Sequence, residues 1–193
     1  MPRKEAVNEL KLIYGTLLAD IVQAEELYRI SDTQFSRRVL IRAFFAFIEG
    51  LAYNLRQVTL ASCEKLPNMS DEERVRLREK TYELDKDGNL RLRTKYLRTG
   101  PGFLFSLQMY PKTHGGEYSP KLDNGGWVAF DSALKLRDSI THPKSAATLE
   151  ISDEAFKVFC KASDWAQTLL LEMFDVCNKA DRRILEKLED TEN

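Results

Sequence analysis

The chain has 193 residues, with 29 Lys and Arg against 30 Asp and Glu, for a formal net charge of −1. At roughly 150 residues per domain this is one domain with an insertion. A composition of 43% hydrophobic and 31% charged residues excludes wholesale disorder, and the near-zero charge balance excludes an indiscriminate, histone-like nucleic-acid binder. Any nucleic-acid contact therefore falls on a local basic patch.

The first expected helix runs from about Glu5 to Arg29, where Val7, Leu10, Tyr14, Leu17, Ile21, Ala24 and Tyr28 recur at steps of three and four. Ser31 and Gln34 read as a capping box for a second helix from about Thr33 to Lys65, with a stripe of Leu40, Phe44, Phe47, Leu51, Leu55 and Val58. That helix is the greasiest stretch of the chain, yet it carries Arg42, Glu49 and Arg56, so it is not a membrane span. Ser70 and Glu73 repeat the capping box and open a shorter charged helix, expected to end near Asp87-Gly88. Asn89 to Arg98 alternates Leu with Arg, and reads as either a strand or a helical turn. Six of the nine glycines and three of the six prolines fall between Gly100 and Gly126, which predicts an irregular loop. Trp127, Phe130 and Leu134 begin another helix, expected to end by His142 because Pro143 disfavours helical backbone in the residue before it. Ser152 caps the last helix, with a stripe of Phe156, Phe159, Ala166, Leu170, Met173 and Cys177 and a fraying tail from Asn178. The expectation is an all-α antiparallel bundle of four to five helices, one domain over 1–193, with an irregular insertion over about 66–126.

Much chemistry is missing. There is no phosphate-binding glycine loop and no nucleophile elbow. Only two histidines occur, 28 residues apart in sequence, so no metal site is expected. Cys63, Cys160 and Cys177 are odd in number, form no C-x-x-C and sit beside no His; they read as buried thiols of a reducing compartment. The first residues, Met-Pro-Arg-Lys-Glu, contain no apolar signal segment, which points to a cytoplasmic protein with no membrane association.

What remains is Arg137-Asp138-Ser139-Ile140-Thr141-His142-Pro143. A permanent planar cation and the one side chain that exchanges protons near neutral pH lie five apart, and they converge only if the helix unwinds near Thr141. The plainer reading is an Arg bonded to helix-end carbonyls beside an exposed turn His. Asp138 either orients His142 or Arg137, or pairs with Lys135. Thr141 is a further donor for a phosphate. Glu49, on the Arg42–Glu49–Arg56 stripe, either orients Arg137 or His142, or faces solvent and pairs with Arg56 or Tyr53. Asn54 is a weaker candidate of the same kind. Arg91, Arg93, Lys95 and Arg98, with Tyr96 for stacking, form a basic run suited to a single-stranded RNA backbone or simply to solvent. His114 reads as a loop residue.

The Arg137-x4-His142 pattern, a polar Asp138 after the Arg, the His142-Pro143 turn and the upstream FFAFIEGLAYNLR helix together resemble the HEPN superfamily of all-helical domains. The resemblance covers about 30–65 and 127–178. It implies a metal-independent, cofactor-free endoribonuclease of phage defence or a toxin–antitoxin pair. Arg137 and His142, assisted by Asp138 and supported by Glu49, Asn54 and Thr141, would cleave RNA through its 2′-hydroxyl. It also implies a homodimer with Arg and His of both protomers in one cleft; the width of the Phe44, Phe45, Phe47 and Ile48 cluster points the same way. The alternative within the family is a non-catalytic module that binds nucleotide, RNA or a protein, with an antitoxin or a nucleotidyltransferase as partner.

Overall fold

A computed structural model describes residues 1–63, 66, 69–122 and 125–192. The chain is mainly α-helical: α1 (Arg3–Ile30), α2 (Gln34–Ser62), α3 (Asp71–Leu77), a hairpin of β1 (Lys80–Leu84) and β2 (Leu90–Thr94), then α4 (Thr99–Met109), α5 (Gly126–Thr141) and α6 (Asp153–Glu192). Among the described residues no helix is long and apolar enough to cross a membrane.

The long helices follow their apolar stripes. On α1, Ala6, Leu10 and Ala24 are buried, and Val7, Leu17, Ile21 and Tyr28 pack against the core. Three residues then return the chain into α2. The cap of α2 is Thr33 rather than Ser31: Thr33 Oγ1 accepts from the Ser36 amide and Ser36 Oγ accepts from the Thr33 amide. The expected end of this helix at Lys65 lies outside the described residues. Helix α2 is the axis of the molecule and is covered on most of its circumference by α1, α4, α5 and α6. Phe44, Phe45, Phe47 and Ile48 are all buried within this one chain, in ring contact with Phe159, Phe130 and Tyr14. The width of that cluster reflects helices packed on several sides of α2.

The segment 66–126 departs most from expectation. Helix α3 has the expected Ser70–Glu73 capping box but stops at Leu77. Glu79, with φ 52, turns the chain out of the helix in a left-handed conformation and into β1. The Leu-Arg alternation is strand: Lys80 pairs with Thr94 and Leu84 with Leu90, around a turn where Asp85 Oδ1 accepts from the amides of Asp87 and Asn89 and Gly88 takes φ 78. The predicted irregular loop contains α4, whose Phe103 and Leu107 are fully buried in the central core. Gly100, Pro101 and Gly102 fall in the first turn of α4, where a missing amide hydrogen costs nothing. Helix α4 is thus part of the main core, while Met69, Leu77 and Met109 form a smaller separate cluster with Cys63.

Helix α5 begins where Gly126 passes Trp165 so closely that a Cβ would lie 2.0 Å from the indole. It ends at Thr141, as Pro143 requires. Ser152 Oγ accepts from the Ala155 amide at the start of α6. The tail does not leave the helix at Asn178, because Ala180 is still buried and α6 continues through 40 residues to Glu192. Of the cysteines, Cys63 and Cys177 are buried but Cys160 is exposed, on the outer face of α6.

Candidate functional site

The seven-residue stripe of α2 is a seam. Arg42 and Glu49 bind α5, and Arg56 binds the hairpin's base and α4. Arg42 donates through Nη2 to the Ile140 carbonyl at the end of α5. Glu49 forms an ion pair through Oε1 with Arg137 Nη2. Arg56 pairs with Glu79 at 3.1 Å and donates to Ser106 Oγ at 3.0 Å. Glu49 therefore does not pair with Arg56, and the carboxylate that satisfies Arg56 comes from the turn at the hairpin's base.

The first half of α2 also holds the chain that follows His142. Arg38 Nη1 donates to the Leu149 carbonyl at 2.9 Å. Gln34 Nε2 donates to the Ile151 carbonyl at 3.0 Å while its Oε1 accepts from the Ile151 amide at 2.8 Å. Arg37 clasps Asp32 through two nitrogens at 2.6 and 2.7 Å, and reaches Asp153 at 2.7 Å. The arginine bonds are charge-assisted, the stronger class of hydrogen bond, and the Gln34 pair adds two neutral ones. They place the α5–α6 connection, and with it His142, against a fixed frame.

Arg137 sits at the centre of a charged cluster. Its Nη1 is 2.9 Å from Asp138 Oδ1, its Nη2 meets Glu49, and its guanidinium carbon lies 5.7 Å from the centre of the Phe45 ring. The side chain is only 17% exposed. Thr99 at the start of α4 donates to the same Glu49 oxygen at 2.8 Å, so one carboxylate joins α2, α4 and α5. Arg137 thus does not bond helix-end carbonyls; Arg42 does that for Ile140. Asp138 pairs with Arg137 of its own chain, whereas Lys135 pairs with Asp131.

His142 lies just past the end of α5, with φ −122 and ψ 63; its amide still donates to the Asp138 carbonyl at 2.9 Å. The break releases the side chain from the helical stripe, and the residue is exposed, as is Thr141. Among the described residues neither the imidazole nor the Thr141 hydroxyl has a hydrogen-bond partner, and Arg137 and His142 of one chain are not hydrogen-bonded to each other. Asn54 is buried and donates to the Gly50 carbonyl of its own helix at 2.8 Å, which accounts for it structurally.

The basic run divides. Arg91 is paired with Asp85 at 2.8 Å and stands opposite Glu83. Arg93, Lys95 and Arg98 are exposed and have no ion pair among the described residues. Tyr96 is 79% exposed. The run therefore offers three uncommitted cations and one bare ring, on β2 and the segment between it and α4; the other face of the hairpin exposes Tyr82, Leu84, Leu90 and Leu92. His114 is not a bare loop residue: its Nδ1 lies 2.9 Å from Asp181 and ties the 110–115 turn to α6.

Sequence reasoning missed Thr99, Arg42 and Glu79. The signal for Arg42 was present, since Arg38 and Arg42 stand one helical turn apart on a greasy helix, where cations need partners. Among the described residues no three His, Cys, Asp or Glu side chains converge as metal ligands. No protein-family model, curated protein or solved structure matches the chain, so the site stands on its own geometry.

Proposed function

We propose that this chain is a HEPN-like domain that cleaves single-stranded RNA without a metal, as a homodimer, in phage defence or a toxin–antitoxin pair. The observation that carries the reading is the end of α5. There a guanidinium braced by Glu49 and Asp138 precedes an exposed histidine freed from the helix by a backbone break. The reaction is attack of the RNA 2′-oxygen on the adjacent phosphorus. The P–O5′ bond breaks, a base takes the 2′-hydroxyl proton and an acid protonates the departing 5′-oxygen. Base and acid are needed at once, and this chain has one histidine at the site. A second copy supplies the other, which is the chemical argument for the dimer. Arg137 stabilises charge on the phosphoryl oxygens through paired donors, and Glu49 and Asp138 keep its fork in place.

The test is a labelled RNA oligomer incubated in excess chelator with wild type, His142→Ala and Arg137→Lys. The wild type is expected to cleave. His142→Ala should lose on the order of 10²–10⁴-fold, the usual contribution of an acid–base residue. Arg137→Lys should also be impaired, because a point charge does not replace a bidentate fork. Cleavage abolished by chelator, or undiminished in His142→Ala, refutes the proposal.

One observation favours the second reading, a module that binds RNA, nucleotide or a protein partner such as an antitoxin or a nucleotidyltransferase. Arg137 is matched by two carboxylates within its own chain, and so its charge is already spent. A wild type that binds RNA without cutting it supports this reading.

A further inference from the structure

A second set of unspent donors lies beside the Glu49 carboxylate, in a cleft of about 290 Å³ between α2 and the start of α4, lined by Glu49, Tyr53, Arg56, Arg98, Thr99 and Gly102 among others. Arg56 is 6% exposed, so its guanidinium is nearly dehydrated. It has five N–H donors, and the described residues accept two hydrogen bonds from it, at Ser106 and Glu79. Its Nε is buried and has no hydrogen-bond partner among the described residues. Buried cations are ordinarily fully paired, because leaving a charged donor unmet is costly. Burial pulls the Arg56 guanidinium below its usual value, with Glu79 partly opposing that shift.

The second observation is the end of α4. Arg98 is its N-cap residue and provides no side-chain cap. The amides of Thr99 and Gly100 find no acceptor among the described residues, and Pro101 has none to offer. An uncapped helix start concentrates positive potential at its first turn. Gly102 keeps the cleft open toward Arg56, since a Cβ there would meet Leu97 Cβ at 3.1 Å and Arg56 Nη1 at 3.7 Å. The Arg98 side chain is exposed at the rim. Glu49 is the one carboxylate of the lining named above, and its charge is offset by Arg137 and its Oε1 accepts from Thr99.

We infer that this cleft is a binding site for one phosphate group, held by Arg56 and Arg98 on one side and by the start of α4 at Thr99 on the other. A phosphate suits the donors better than a carboxylate does, because a planar fork and a helix end approach from different directions and a tetrahedral group presents oxygens to both. The ligand is either a free nucleotide or a phosphate of an oligonucleotide. The exposed Arg93 and Lys95 lead to the rim and would follow the neighbouring phosphates in the second case. The site does not use His142 and does not rest on the cleavage reading.

The test is a ¹H–¹⁵N titration of the full chain with inorganic phosphate, a nucleoside monophosphate and a short single-stranded oligonucleotide. The Thr99 and Gly100 amides should shift saturably. Arg98→Ala removes an exposed side chain and leaves the fold intact; it should weaken binding about tenfold, the loss of one charge-assisted contact. Arg56→Lys should also weaken it, and the shift of the Thr99 amide with inorganic phosphate should be the same in His142→Ala, which separates this site from the cleavage proposal. Tighter binding of the oligonucleotide than of the monophosphate identifies a backbone phosphate; equal binding identifies a free nucleotide. Unmoved Thr99 and Gly100 amides, shifts confined to residues 90–97, or full binding by Arg98→Ala would overturn the inference.

Discussion

Replacing Glu49 by Gln removes one of two carboxylates that hold Arg137, and the structure sets the size of the effect. Glu49 is 43% exposed and Arg137 17% exposed in their side chains. An ion pair at that depth contributes about 0.5–1 kcal/mol. The neutral amide keeps an oxygen for the Thr99 hydroxyl, so that bond survives. Arg137 is not stranded, because Asp138 remains on Nη1. The expected cost is about 1 kcal/mol, a fall in Tm of about 2–4 °C for a chain of this size. Asp138→Asn alone should cost no more. In the double variant the guanidinium has no carboxylate left, and the loss should exceed the sum of the singles, reaching about 2–3 kcal/mol. Thermal melts of the four proteins, followed by circular dichroism, give the cycle directly. A fall above about 10 °C for Glu49→Gln would show that the pair is a structural clamp. Strictly additive singles would show that the two carboxylates do not share one guanidinium. Either result refutes the reasoning.

Phe103→Ala should cost about 3–5 kcal/mol, measured by urea unfolding, because its ring is fully buried against Phe130; a cost below about 1 kcal/mol would make α4 the loosely attached insertion that its glycines suggest. Glu79→Ala strips Arg56 of its carboxylate and keeps a side chain at φ 52, whereas Glu79→Gly strips the carboxylate but relieves the backbone, so the Gly variant should be the more stable by about 1 kcal/mol in the same assay. Burial, with Asp181 nearby, pushes the Cys177 thiol up to about 12 from an ordinary 9.0, and burial pushes Tyr110 up to about 12 from 10.0. Both groups have raised folded values, so their contribution is full below pH 9 and is lost as pH rises from 9 toward 12; denaturant midpoints should fall across that window. Alkylation of the native protein at pH 8 should label the exposed Cys160 and spare the buried Cys177, as peptide mass spectrometry reads.

The long helices were legible because their apolar residues repeat at helical steps over many turns: α1, α2, α5 and α6 fall within a few residues of expectation at their beginnings. Helix α4 was hidden because its three breakers, Gly100, Pro101 and Gly102, occupy the one turn of a helix that tolerates them. The end of α3 was hidden for the opposite reason, since Glu79 adopts a left-handed turn without being the glycine that would mark one. The seam of Arg42, Glu49 and Arg56 was visible as a spacing, but its partners Ile140, Arg137 and Glu79 lie 98, 88 and 23 residues away in sequence. Spacing along one helix says that charges share a face; it does not say what covers the face. The five-residue separation of Arg137 and His142 carried the break of α5 because Pro143 imposes it. The Arg42 bond that steadies the broken end depends on tertiary packing alone.

The central claim is cleavage through the 2′-hydroxyl, and the termini of the products test it most directly. A single-stranded RNA and the same strand with one 2′-deoxy nucleotide at the cut position are incubated with the protein in excess chelator, and the fragments are weighed by mass spectrometry. The account predicts a 2′,3′-cyclic phosphate on one fragment, a 5′-hydroxyl on the other, and no cut at the deoxy position. A 5′-phosphate product, or cleavage 5′ to 3′ across the deoxy nucleotide at an undiminished rate, would contradict it.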